Sequence, residues 1–218
     1  MAVKNYRYLF FDLDGTLLKS GEGIQRCAQH ALRHFGINIE DLEKLRPFVG
    51  PPLEDSFKDF YHFTAEQAHE ATRIYSERYA RLGAYEAELY EGVFEFLQHL
   101  KDAGKILVLC TSKKIRMAEI VTRHFKLAPY LDYIGARDEE GTIHTKADVI
   151  RHIIKELNIT DKHEIVMIGD RKFDMAGARE VGLDCIGVLY GYGDAAELTA
   201  AGATYLAANY DELERLLL

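Results

Sequence analysis

Paired cysteines are missing from this 218-residue sequence: Cys27, Cys110 and Cys185 lie far apart and form no C-x-x-C spacing. That excludes a disulfide framework and a structural zinc site, and leaves the thiols as small buried hydrophobes. Long apolar runs are missing too. None approaches the ~20 residues needed to span a bilayer, so no membrane partner is expected. Residues 1–7 are polar and the apolar stretch after them is broken by Asp12, unlike a secretory signal, so a cytoplasmic location is the expectation. Positive charge is in deficit, with 27 Lys and Arg against 35 Asp and Glu and a formal net charge of −8. Nucleic-acid binding neutralises phosphates with basic side chains, so no nucleic-acid partner is expected, and an anionic ligand must be held by local cations. Internal repeats and low-complexity tracts are absent as well.

What is present is a set of short apolar runs. Residues 6–11 are rich in aromatic and aliphatic side chains, and "ILVLC" (106–110), "IVMI" (165–168) and "CIGVL" (185–189) repeat the signature of strands covered on both faces. Between them apolar residues recur at helical spacing: Val93, Phe96, Leu97 and Leu100 before Gly104; Ile115, Ala118 and residues 121–125; Val149, Ile150, Ile153, Ile154 and Leu157 before Asn158. Strands alternating with amphipathic helices predict an α/β fold, a Rossmann-like doubly wound parallel sheet. Residues 20–83 break the alternation. Ile24, Cys27, Ala28, Ala31, Leu32 and Phe35 form a helical stripe ending at Gly36, and residues 65–82 form another helical stretch. Between these, "RPFVGPPLEDSF" (46–57) carries consecutive prolines and predicts an ordered loop ahead of a new helix. The expected organisation is a core of residues 1–18 and 84–218 with an inserted α-helical domain at 19–83.

Three predicted strand ends carry chemistry. In "YLFFDLDGTLL" (8–18), Asp12 and Asp14 flank one leucine, and residues two apart on a strand share a face ~7 Å apart. Gly15 then permits a tight turn and close approach of backbone N–H groups to an anion. In "ILVLCTSKK", Thr111, Ser112 and Lys113 precede a predicted helix, whose first N–H groups and a hydroxyl suit phosphate oxygens. In "IVMIGDRKFD", Asp170 and Asp174 follow the strand and, with Asp12, offer the oxygen ligands Mg²⁺ prefers. Each motif alone has an ordinary reading, as a polar strand end, an N-cap or a helix-start acid. Ligands of parallel sheets bind at the carboxyl ends of strands, and three such ends coincide here.

The order D-x-D-G-T, strand-T-S, lysine, strand-G-D-x-x-x-D resembles the haloacid dehalogenase superfamily of phosphohydrolases. The resemblance covers the whole chain, because that family places a helical cap directly after the first motif, and it is closest to phosphoglycolate phosphatase-like and nucleotidase-like members. It implies Asp12 as the nucleophile that forms an aspartyl-phosphate and Asp14 as the general acid and base. It implies Thr111 as a phosphate-binding hydroxyl, with Gly15, Thr16, Ser112 and Lys113 also on the substrate. The charge-compensating lysine it implies is Lys146 in "GTIHTKADVI", where Ala147 stands in place of the family's frequent proline; Lys113 and Lys114 are its rivals. Mg²⁺ would be held by Asp12, Asp170 and the carbonyl of Asp14, with Asp174 ligating indirectly or orienting Lys146. Phe48, Gly50, Pro51 and Leu53 would shape the leaving-group pocket. The implied activity is Mg²⁺-dependent hydrolysis of a small phosphorylated metabolite, phosphoglycolate- or nucleoside monophosphate-like. Asp14 argues against a dehalogenase, which has no use for an acid there. Two alternatives stay open. A sugar phosphomutase of the same superfamily keeps both aspartates, and a receiver-like phosphate-sensing module also gathers acids and a lysine at strand ends, though receivers are near half this length and lack the cap. "YGYGDAAEL" (190–198) reads as a loop after the last strand, and nothing in the sequence signals oligomeric state.

Overall fold

The computed structural model describes residues 4–218. They form two units, one comprising the N-terminal residues through Leu18 together with Leu89–Leu218, the other Lys19–Glu88. Along the chain the strands are β1 (Tyr8–Phe11), β2 (Leu18–Lys19), β3 (Glu88–Leu89), β4 (Ile106–Lys114), β5 (Tyr133–Arg137), β6 (Ile165–Gly169), β7 (Asp184–Val188) and β8 (Tyr205–Ala207). The short pair β2 and β3 form a two-stranded sheet of their own. The helices are α1 (Gly21–His34), α2 (Leu53–Tyr61) and α3 (Ala65–Arg78) in the helical unit, then α4 (Val93–Asp102), α5 (Ile115–His124), α6 (Lys146–Glu156), α7 (Lys172–Val181), α8 (Ala195–Ala200) and α9 (Tyr210–Leu217).

The other six strands make one parallel sheet in the order β5-β4-β1-β6-β7-β8. Its strands read as unbroken apolar runs because helices cover both faces, and Leu9, Phe10 and Phe11 of β1 are fully buried. Phe10, Val108, Cys110, Ile150, Ile153, Met167 and Met175 belong to one packed cluster. From β1 the chain builds β4 and β5 on one side, then crosses to the other side for β6, β7 and β8, which puts the topological switch point beside β1. Phe11 is in register with Leu109 of β4 and Ile168 of β6. The residues following these three positions therefore emerge at one edge of the sheet.

Besides the two-residue β2 and β3, two strands of this sheet escape the apolar-run criterion. Tyr133–Arg137 contains a glycine and ends in a charge, and Tyr205–Ala207 is a three-residue edge strand, too short to show a pattern. Two local expectations are corrected. β4 does not stop at Cys110: it continues irregularly to Lys114, where its register with β5 shifts, so α5 starts at Ile115 and Thr111 and Ser112 are not its cap. β1 stops at Phe11, so strand periodicity does not place Asp14. Asp12 still donates its N–H to the Ile168 carbonyl at 2.8 Å, after which the N–H groups of Thr16, Leu17 and Leu18 converge on the Leu13 carbonyl in a tight turn.

In the helical unit α1 buries Ile24, Cys27, Ala28, Ala31 and Leu32, and the chain turns at Gly36 with φ +76°. A 3₁₀ segment, Leu42–Phe48, contains Pro47, and α2 begins directly after Pro52. A Thr64–Gln67 capping box starts α3, which widens at its end into a π turn, Tyr79–Gly83. Phe35, Phe48, Phe57, Phe60, Tyr61 and Phe63 form one aromatic cluster. All three cysteines are buried and unbridged. Among the described residues no helix is long and apolar enough to cross a membrane.

Phe10 sits at the centre of the sheet with no exposed surface. Phe10→Ala is expected to cost about 3–5 kcal/mol, transfer plus cavity, read as a lower guanidinium midpoint.

Candidate active site

The sheet edge gathers a buried polar group within the apolar core. Asp12 follows β1, Thr111 lies in the irregular part of β4, and Asp170 follows β6; all are buried, as are Asp174 in the first turn of α7 and Lys146 at the start of α6. Lys146 is placed by a capping box between Thr145 and Asp148 that fixes the helix start. It is also placed by close packing of α6 on α7. A Cβ on Gly177 would lie 2.8 Å from Lys146 Cβ and 3.1 Å from the Ala147 nitrogen, so only glycine allows this approach.

The Lys146 ammonium makes three contacts of 2.8 Å, to Asp12 Oδ1, to Asp174 Oδ1 and to the Cys110 carbonyl. These account for all three of its donors. Asp174 Oδ2 accepts the Arg171 N–H at 3.1 Å, so both oxygens of that carboxylate are engaged. Asp170 Oδ2 accepts the Tyr192 N–H at 2.7 Å, while its Oδ1 is buried with no hydrogen-bond partner. Asp12, Asp170 and Asp174 each present an oxygen within 4.8 Å of the others. Burial pushes the Asp12 carboxyl up to about 7; neighbouring Asp174 and Asp14 push the same way, and Lys146 opposes them. Burial likewise raises Asp170 well above its ordinary value, helped by Asp174 and Asp12. Burial works against the charge on Lys146, but Asp12 and Asp174 outweigh it and hold the ammonium above the usual lysine range. Lys146 is the cation bonded to this group, Arg171 acts on Asp170, and the raised Asp12 and Asp170 carboxyls reflect burial and mutual repulsion that these cations do not fully offset. An all-oxygen donor set with an orphaned Asp170 oxygen fits a hard divalent cation such as Mg²⁺.

The rival lysines go elsewhere. Lys113 pairs with Asp14 at 2.6 Å, both largely buried, and exposed Lys114 pairs with Glu139 at 3.3 Å. Thr111 Oγ1 accepts the Lys113 N–H at 3.3 Å, and Ser112 follows it half-buried. Gly15 occupies the turn with φ +83°, and Thr16 beside it is fully buried. In the helical unit, Gly50, Pro51 and Leu53 are partly exposed, whereas Phe48 is only 2% exposed and packs on Phe57, Phe60 and Tyr61. Phe48, expected to help shape the leaving-group pocket, has its ring packed into that unit's own aromatic cluster. Sequence reasoning passed over the Tyr190–Gly193 stretch, which lies against Asp170, and Glu197, which accepts from Arg171 Nε at 2.8 Å and the Lys172 N–H at 2.9 Å. The only signal for them was a doubled tyrosine-glycine in a loop.

Lys146→Met removes the cation from buried acids and is expected to cost about 3–5 kcal/mol at pH 7, read by thermal unfolding. Without Lys146, whose charge opposes the rise, the native Asp12 carboxyl moves further above its value in the unfolded chain. The native state then holds more protons than the unfolded state from about pH 4 upward to the native pKa values, and stability falls as pH rises through that window. The deficit against wild type is therefore larger at pH 7 than at pH 5.

A family model described as haloacid dehalogenase-like hydrolase matches residues 9–188. A 5'-nucleotidase of Pseudomonas aeruginosa is 38% identical over 216 residues, 99% of this chain and 97% of that protein. A tyrosine-protein kinase, PtkA, of Mycobacterium tuberculosis is 33% identical, over 96% of this chain and 72% of its own length. A crystal structure of a predicted phosphatase from Clostridium acetobutylicum superposes with a TM-score of 0.93 at 43% identity, covering 97% of each chain. The match runs from within β1 to the end of β7 and spans every strand that delivers a residue to the acid–lysine cluster, so the chain belongs to the haloacid dehalogenase-like hydrolase family.

Proposed function

We propose that this phosphoric monoester hydrolase works through an aspartyl-phosphate on Asp12, with Mg²⁺ as cofactor and a small phosphomonoester, foremost a nucleoside monophosphate, as substrate. The observation that carries the mechanism is the buried Lys146 ammonium bridging Asp12 and Asp174 beside an Asp170 oxygen with no partner. The nucleotide preference draws on the relative named 5'-nucleotidase, which aligns over nearly the whole of both chains.

In the first step an Asp12 carboxylate oxygen attacks phosphorus, the bond to the leaving oxygen breaks, and Asp14 donates its proton to that oxygen. In the second step water attacks the phosphoryl group, Asp14 takes the water's proton, and inorganic phosphate leaves with Asp12 restored. Lys146 holds the Asp12 carboxylate in one orientation through both steps. Lys113 holds Asp14 until a phosphate dianion offers its ammonium another partner, and Thr111 supplies a hydroxyl to phosphate oxygens. Asp12, Asp170 and the Asp14 carbonyl would hold Mg²⁺, which when bound neutralises charge on the phosphoryl oxygens. Asp174 orients Lys146, since both of its oxygens are engaged. The helical unit would choose the leaving group through Gly50, Pro51 and Leu53.

The test is phosphate release from nucleoside monophosphates, phosphoglycolate, sugar phosphates and an aryl phosphate, with Mg²⁺ or EDTA. Turnover should require Mg²⁺ and fall by about 10³-fold or more in Asp12→Asn and Asp14→Asn. Acid-quenched wild type should carry an alkali-labile phosphoryl label on the peptide containing Asp12. Phosphoryl transfer to a sugar or a tyrosine hydroxyl without release of phosphate would replace hydrolysis by a transferase, and retained binding without turnover would favour the sensing module. Leu53→Ala should change the ratios of kcat/KM across the panel while leaving the dependence on Mg²⁺ concentration unchanged. Equal scaling of every substrate would remove that loop from substrate choice.

A further inference from the structure

The Tyr190–Gly193 stretch follows β7 and lies between the two acid-bearing turns of the core. The Tyr190 hydroxyl donates to the Thr16 carbonyl at 3.1 Å, and the Tyr210 hydroxyl donates to the same carbonyl at 3.0 Å. Two residues after Tyr190, the Tyr192 N–H donates to Asp170 Oδ2 at 2.7 Å, and the Gly193 N–H donates to the Asp170 carbonyl at 3.1 Å. One short segment is thus bonded both to the turn after Asp12 and to Asp170. Between those anchors, a Cβ on Gly191 would fall 2.3 Å from Asp170 Cβ and 2.6 Å from the Gly15 carbonyl oxygen. A Cβ on Gly15 would in turn fall 2.0 Å from Asp170 Oδ2 and 2.7 Å from the Tyr192 ring. The three segments touch at the limit of backbone approach.

The phenols are themselves fixed. Tyr210 stacks on Phe96 at 4.6 Å, Phe96 meets Phe11 of β1 edge-on at 6.0 Å, and Tyr190 lies edge-on between Tyr210 at 5.2 Å and Tyr90 at 4.9 Å. The Tyr90 hydroxyl donates to the Tyr190 carbonyl at 3.3 Å. Burial raises the Tyr190 and Tyr210 hydroxyls above their ordinary values, so both remain neutral donors throughout the physiological range. A column of rings therefore runs from the sheet core to the Thr16 carbonyl.

We propose that Tyr190, Gly191, Tyr192 and Gly193, together with Tyr210, are positioning residues that hold Asp170 and the Asp12–Thr16 turn at the separation a divalent cation requires. The assignment rests on the reading of Asp12 and Asp170 as Mg²⁺ ligands. These residues do not touch the reacting atoms; they act through two backbone carbonyls and one carboxylate oxygen. Partners that orient metal ligands typically change metal affinity 10–100-fold when removed.

The experiment reads Mg²⁺ affinity without catalysis, from the rise of Tm with Mg²⁺ concentration in the absence of substrate. The variants are Tyr190→Phe/Tyr210→Phe, which keeps the ring column and deletes both donors, and Gly191→Ala, which forces the segments apart. Leu217→Ala, buried at the far end of α9, serves as a purely destabilising control. The double phenylalanine variant and Gly191→Ala are expected to weaken Mg²⁺ binding about 10-fold. Leu217→Ala is expected to lower the metal-free Tm and leave Mg²⁺ affinity unchanged. Unchanged affinity in the double phenylalanine variant would overturn the assignment, reducing the phenols to structural contacts, and that variant decides the matter if Gly191→Ala does not fold. Asp170→Asn separates the two claims. If it abolishes the Mg²⁺ response while the loop variants keep it, only the positioning role fails; if it leaves the response intact, or wild type shows none, the metal reading fails and the positioning role with it.

Discussion

A lysine ammonium buried among carboxylates organises this protein. A charge taken out of water is tolerated only when every donor finds a partner, and Lys146 finds three at 2.8 Å, two of them acids. That requirement reaches far along the chain. It ties the start of α6 to the end of β1, to β4 and to the first turn of α7, and it selects glycine at position 177, where a side chain would push α6 away. The same ammonium does not fully offset the burial and mutual repulsion that raise Asp12 and Asp170. A centre that is underneutralised by design is suited to receive a second cation and, through it, a phosphoryl group.

The sheet supplies what the side chains alone lack, a rigid reference. With Phe11, Leu109 and Ile168 in register, the ends of β1 and β6 and the irregular end of β4 lie side by side, and the polar residues they carry inherit the stiffness of a buried core. The turns beyond the strands have no such ladder. Gly15, Asp170 and the Tyr190–Gly193 stretch instead hold one another by near-contact of backbone and by hydrogen bonds to carbonyls. Order at the site is transmitted in two stages, from the sheet to the strand ends and from the aromatic column to the turns.

These two stages differ in how legible they are in sequence. The strands around Asp12 and Asp170 were readable because burial on both faces demands unbroken apolar runs, whereas Asp12, Asp14, Asp170 and Lys146, each with an ordinary reading alone, stood out only because several strand ends coincide and their motif order resembles a known family. Asp14 illustrates the limit: the residue was identified, but the alternation used to place it does not operate, since β1 ends at Phe11 and a turn takes over. Thr111 and Ser112 show the same thing, their stretch continuing β4 irregularly instead of capping α5. Tyr190 and Tyr210 were illegible because their function depends on a meeting at the Thr16 carbonyl, 174 and 194 residues away in sequence. No local pattern encodes a contact of that range.

Phe48 marks a further boundary between chemistry and choice of substrate. The family resemblance cast it as part of a pocket, and its ring belongs to an aromatic cluster that gives a helical unit of modest size its core. A small unit cannot spare a large buried ring for a ligand, because apolar burial is what offsets its conformational entropy. What remains available for recognition in that loop is the backbone at Gly50 and the partly exposed Pro51 and Leu53. Such positions are only partly buried, whereas the acid–lysine cluster lies wholly in the other unit. Chemistry that demands fixed residue identities and selectivity that demands only a surface are thereby separated in one chain, which is why the sequence speaks more clearly about the reaction than about its substrate.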